Sequence, residues 1–132
     1  MAAYSPNFVA NGTVNPSTFV RIDATDNNKV IAASANSQFL IGVAQEWSKN
    51  APIPNATQEA ADAGDPLKVY GVGDICLLQA TTAGWTAGDR LTSDANGNGV
   101  TASSTNYYGA VALTTLSGAG LGRVQVVLGK NP

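Results

Sequence analysis

GDRLTSDANGNGVTASSTNYYGAV, residues 88–111, decides the fold, because residues 19–44 repeat its pattern. Arg21-Ile22 answers Arg90-Leu91 at a spacing of 69 residues (90 − 21 = 69), and Asn27 answers Asn96 at the same spacing. Val30 and Ala32 answer Val100 and Ala102 one residue further on, and Gly42-Val43-Ala44 answers Gly109-Ala110-Val111. The order is kept in both copies: an apolar strand start, a polar tip, Val-x-Ala, a Ser-rich link, an aromatic, then a glycine that opens an apolar strand. Each copy reads as a strand, a tight turn, a returning strand and a third strand.

Asp94-Ala95-Asn96-Gly97-Asn98-Gly99 holds two Asn-Gly steps. Such steps accept positive φ and favour the primed turns that match strand twist. Asn96, Gly97, Asn98 and Gly99 are therefore expected to be structural turn residues, with Asp26-Asn27-Asn28 doing the same work in the first copy. On this reading Gly97→Val destabilises the tip and Asp94→Ala costs little.

Outward from these copies, Phe8-Val9-Ala10 reads as a short strand before an Asn11-Gly12 turn, and Thr18 to Asp23 alternates with β-branched content. Lys29 to Ala33, Phe39 to Gln45, Leu67 to Tyr70, Ile75 to Gln79 and Leu121 to Leu128 continue the pattern. Gly64-Asp65 and Gly88-Asp89 each form a turn that launches a strand, and Gly71-Val72-Gly73-Asp74 forms another turn. Between Trp47 and Gly64 the β pattern breaks: Pro52 and Pro54 confine a surface helix to about 55–63, where a loop fits equally well because no apolar stripe is present. The expectation is an all-β fold, a compact antiparallel β-barrel or sandwich of about ten short strands. Residues 1–9 read as an extended N-terminal arm, since Pro6 forces extension at Ser5, and residues 10–132 as a single β domain with two pseudo-repeated halves.

Seven Lys and Arg are scattered singly, net charge is −2 and only 12% of residues are charged, so no basic face exists for nucleic acid. A surface built of Ser, Thr, Asn, Ala and Gly suits protein contact. No run approaches the ~18 apolar residues of a membrane span, and the first twelve residues lack the basic and apolar regions of a signal peptide. The single cysteine, Cys76, lies in Ile75-Cys76-Leu77-Leu78 and reads as a small buried hydrophobe.

Asp94-x-Asn96-x-Asn98-Gly99 matches the first half of a calcium loop, but the twelfth position carries Thr105 where a bidentate Glu is needed. No metal or cofactor is expected. The absence of histidine removes the usual general base and every Ser/His or Cys/His nucleophile. Glu46, Glu59 and Asp62 fall in a polar connector and read as solvated surface. No catalytic residues are assigned, and the chain reads as a non-enzyme. Tyr4, Pro6, Phe8, Val9 and Trp47 are the candidate interface with a partner or another subunit: they lie outside the expected core, and aromatics there either cover their own sheet or anchor a partner.

The run Phe19-Val20-Arg21, Ile41-Gly42-Val43-Ala44, Ala63-Gly64-Asp65-Pro66-Leu67-Lys68-Val69, Ala87-Gly88-Asp89-Arg90-Leu91, Gly109-Ala110-Val111-Ala112 and Val124-Gln125-Val126-Val127-Leu128 resembles the capsid decoration, or cement, proteins of tailed bacteriophages. The resemblance covers about residues 10–129. It implies a structural virion protein on the outer capsid surface, made in the host cytoplasm, that binds the major capsid protein and stabilises contacts between its subunits. It also implies a homotrimer, in which a closed ring would cover edge strands otherwise open to pairing. The long connector over 48–62 and the pair Tyr107-Tyr108 depart from the family pattern. The alternative is a carbohydrate-binding or fibre-like adhesion module, equally all-β and free of histidine.

Overall fold

The computed structural model describes residues 7–24, 29–36, 38–46, 59–103 and 105–132. Its elements are ten strands: β1 (Asn7–Ala10), β2 (Phe19–Ile22), β3 (Lys29–Ala32), β4 (Gly42–Ala44), β5 (Pro66–Tyr70), β6 (Ile75–Ala80), β7 (Arg90–Ser93), β8 (Gly99–Thr101), β9 (Tyr107–Ala112) and β10 (Gly120–Lys130). The all-β reading with about ten short strands holds. Residues 59–63 of the span expected as helix or loop are not helical, and 55–58 lie outside the described residues, as do Asp26-Asn27-Asn28.

The strands close into two barrels, one in the order β1-β3-β2-β4-β5 and the other in the order β10-β6-β8-β7-β9. The pairing of the second repeats that of the first. In each, the first strand runs parallel to the third and antiparallel to the fifth, and the remaining neighbours are antiparallel. Even the isolated bridges correspond, Val14 with Ala61 and Trp85 with Leu116. Closure leaves little of the free sheet edge that a trimeric ring was expected to cover, so edge burial supplies only a weak reason for assembly.

Register places Val20 opposite Gly42 and Leu91 opposite Ala110, so Val20 corresponds to Leu91 and Phe19 to Arg90. The sequence match had set Arg21 against Arg90, two residues away. A two-residue slip preserves the inward and outward alternation of a strand, so the pattern survives while the residue pairs change.

One apolar cluster, with Val14, Val20, Val30, Leu67 and Val69, fills the first barrel. The other fills the second barrel with Leu78, Leu91, Val124 and Val126, and also takes Phe19, Leu40 and Val43 from the first. β2 and β4 therefore bury both faces. Val20 and Ala44 point into their own barrel, while Phe19 and Val43 point into the seam. Gly109 of β9 makes the close approach possible, since a Cβ there would stand 2.7 Å from the Phe19 ring.

Backbone polar groups also join the barrels. The Phe19 N–H donates to the Gly97 carbonyl at 2.8 Å, and the Gln79 N–H to the Ser17 carbonyl at 2.8 Å. The Leu77 N–H donates to the Glu46 carboxylate at 2.8 Å. Leu77 and Gln79 lie on β6 where it extends beyond its single pair with β8, Ala80 with Gly99. Donors that would otherwise lack partners are thus satisfied across the seam.

Three turns share one construction, at residues 62–65, 71–74 and 86–89. The aspartate at the fourth position donates its N–H to the carbonyl of the first, and its carboxylate accepts the N–H of the first. The third residue is a glycine at φ of 88, 93 and 93°, the geometry a type II turn requires.

Candidate functional site

The β7–β8 tip is held from below by Asp94. One of its carboxylate oxygens accepts the N–H of Asn96 at 2.8 Å and that of Asn98 at 2.9 Å, while the Asp94 N–H donates to the Asn98 carbonyl at 3.0 Å. Asp94 is therefore the organiser of the tip, which revises the small cost expected from its sequence position. Gly97 has φ of 82° and is buried, and a Cβ there would stand 3.2 Å from the Phe19 carbonyl oxygen and from the Thr18 Cβ. Asn96 is exposed and Asn98 half-buried, whereas Gly99 is buried. The tip packs on the first barrel through Gly97.

Two of the connector carboxylates hold structural partners. Glu46 caps the β6 edge, and Asp62 accepts the Thr13 hydroxyl at 3.1 Å. Among the described residues, no three His, Cys, Asp or Glu side chains come together as metal ligands. Cys76 is buried in the seam cluster. Burial, with smaller contributions from Glu46 and Asp74, pushes its thiol up to about 12, so the thiolate is suppressed. Tyr70 beside it is raised by burial first and then by Glu46, Cys76 and Asp74.

Of the expected interface residues, Tyr4, Pro6 and Trp47 lie outside the described residues. Phe8 and Val9 belong to β1, opposite Leu67 and Pro66. Phe8 packs partly against the core of the first barrel, while Val9 stays 38% exposed.

A surface absent from the sequence-based set lies at the seam. Phe39, which precedes β4, is 63% exposed, and Ile22 at the end of β2 is 46% exposed. With Arg21, Ala24, Gln38 and Ile41 they line an open groove of about 330 Å³. The Phe39 ring meets Tyr107 of β9 edge-on at 5.6 Å, and the Lys130 ammonium lies over Tyr107 at 5.2 Å. Arg90 stacks on Tyr108 at 5.0 Å and donates to the Asn131 side chain at 2.9 Å. The Nε of Arg21 is buried with no acceptor among the described residues. The apolar run from Phe39 onward read as one strand, and only the later start of β4 at Gly42 turns Phe39 outward. A more open, polar groove of about 570 Å³ lies on the second barrel between the Trp85 turn and Thr115. Its carboxylate, Asp89, is occupied by the Thr86 N–H and the Thr101 hydroxyl. Trp85 there is 4% exposed and offers no stacking face to a sugar.

The fold has a solved counterpart, the head fiber gp8.5 N base of bacteriophage phi29. The two share 14% identity over 98% of each chain, with a TM-score of 0.56, a likeness of fold. No curated protein matches the sequence. The family model for the phage cement protein matches residues 7–128, from the first residue of β1 to Leu128 in β10. Both barrels and the seam between them fall inside that match, and the chain belongs to the phage cement protein family.

Proposed function

We propose that this structural phage protein sits on the outer surface of the capsid, binds the major capsid protein and stabilises contacts between its subunits, acting as a homotrimer and not as an enzyme. The family match over residues 7–128 carries this reading. Physical features support it. Two barrels locked by a shared core make a rigid body suited to bridging neighbours. Charge is sparse, and exposed Phe39 and Ile22 supply the apolar area that protein contacts use. Tyr4, Pro6, Val9 and Trp47, with the exposed part of Phe8, remain the proposed contacts with the capsid or a neighbouring copy.

The test is add-back to purified capsids that lack the protein. Saturable occupancy at defined surface positions, with a higher capsid disruption temperature, is the expected result. Capsids that stay bare at micromolar protein would refute the reading.

A further inference from the structure

Three Asn-Gly steps occur in the chain, at Asn11, Asn96 and Asn98, and two of them, Asn11 and Asn96, stand in the same Ala-Asn-Gly context. A side-chain carboxamide is most open to attack by the next backbone nitrogen when that nitrogen belongs to glycine, which has no Cβ to hinder the approach. By local sequence Asn11 and Asn96 should react alike, so the fold decides any difference between them.

Two of the three are held. The Asn11 carboxamide donates to the carboxylate of Asp23, itself a buried residue. Asn98 is half-buried, and the glycine that follows it, Gly99, pairs with Ser93 of β7 and with Ala80 of β6. A Cβ on Gly99 would stand 2.5 Å from Leu78 and 2.9 Å from the Trp85 ring, so this stretch of backbone has no room to turn toward the Asn98 side chain. Asn96 differs on both counts. It is exposed, and its carboxamide has no hydrogen-bond partner among the described residues. The Gly97 N–H that must approach it makes only a long bond, 3.4 Å, to the Asp94 carbonyl.

We propose that Asn96 is a site of spontaneous deamidation in the folded protein, and that its conversion loosens the seam between the two barrels. The Gly97 nitrogen gives its proton to hydroxide or water and bonds to the Asn96 Cγ, while the Cγ–Nδ2 bond breaks and ammonia leaves. Water then opens the resulting cyclic imide. Opening at the side-chain carbonyl gives aspartate, and opening at the main-chain carbonyl gives isoaspartate, in which the chain runs through Cγ. Water is the only co-reactant, and nothing is oxidised or reduced. Either product sets a new carboxylate beside that of Asp94, which accepts the N–H groups of Asn96 and Asn98. Isoaspartate also lengthens the backbone immediately before Gly97, whose carbonyl accepts the Phe19 N–H at 2.8 Å. The tip is thereby pushed off its contact with the first barrel.

Ageing of the full-length protein at mildly alkaline pH tests it, with peptide mapping by mass spectrometry to read each site. In the folded protein Asn96 is expected to convert about tenfold faster than Asn11, whose carboxamide must first break a charge-assisted hydrogen bond. In denaturant that bond is gone, and the two Ala-Asn-Gly sites should react at equal rates. Converted wild type should melt below fresh protein. Asn96→Gln, whose longer side chain closes the ring far more slowly, should keep its melting temperature through the same treatment, and the exposed position makes the substitution compatible with folding. Equal rates at Asn96 and Asn11 in the folded state, or an Asn96 that survives while a peptide of the same sequence is consumed, would overturn the site. A converted protein that melts together with the fresh one would overturn the effect on the seam.

Discussion

At the scale of single residues, Asp94 and Cys76 show how environment sets the effect of a side chain. Asp94 is half-buried and accepts two backbone N–H groups, so Asp94→Ala leaves two donors to find water. The expected loss is about 1–2 kcal/mol, read as a lower denaturation midpoint with an unchanged slope. Asp94→Asn, which keeps an acceptor oxygen, recovers most of it. Cys76 gives a pH dependence. Its thiol moves from an ordinary value of 9.0 to about 12 on folding, so between these values the unfolded chain gives up a proton that the folded chain retains. The contribution of the neutral thiol is complete below about pH 9 and declines by about 1.4 kcal/mol per pH unit until about pH 12. Melting temperatures across that window should fall less steeply for Cys76→Ala than for the wild type. Equal slopes would mean that the thiol is not the group responsible.

At the scale of elements, the β7–β8 hairpin is both a turn of the second barrel and a contact with the first. The Asn-Gly steps announced the hairpin, because positive φ is a local property of glycine. They did not announce that Gly97 would be buried against Thr18 and Phe19, since its neighbours are about 80 residues distant in sequence and only packing brings them together. Gly97→Val forces a β-branched residue to φ near 82° and pushes it into the Phe19 carbonyl. The expected cost is about 3 kcal/mol, combining backbone strain with a displaced seam contact. Thermal denaturation checks it, and a loss below about 1 kcal/mol would show that the tip detaches without consequence.

At the scale of the molecule, the shared core makes the two barrels one cooperative unit. Phe19 leaves the first barrel to join Leu78, Leu91 and Val124 of the second, so parting the barrels breaks the second barrel's cluster and exposes Phe19, Leu40 and Val43 of the first. Calorimetry should therefore show a single transition with equal calorimetric and van't Hoff enthalpies. Phe19→Ala should lower stability by about 3–5 kcal/mol, by opening a cavity at the seam. Two resolved transitions would identify the barrels as independent folding units and the seam as a weak contact.

The sequence by itself determined the strands. Alternation in Leu67-Lys68-Val69-Tyr70 and Ile75-Cys76-Leu77-Leu78, and the Gly-Asp turns that precede β5, β6 and β7, are local signals, and the elements lie close to where these signals put them. The family resemblance was likewise legible, because short ordered motifs along the chain survive without any knowledge of contacts. Tertiary structure alone decided how the strands close. A strand's period of two says which residues share a face, but not which strand lies beside it or whether the last returns to the first. For the same reason Phe19 and Val20 are indistinguishable as apolar residues in sequence, yet one fills the seam and the other a barrel. Phe39 read as part of a strand, and it became the centre of an exposed surface only because pairing of β4 with β2 begins at Gly42, leaving its ring beside Tyr107.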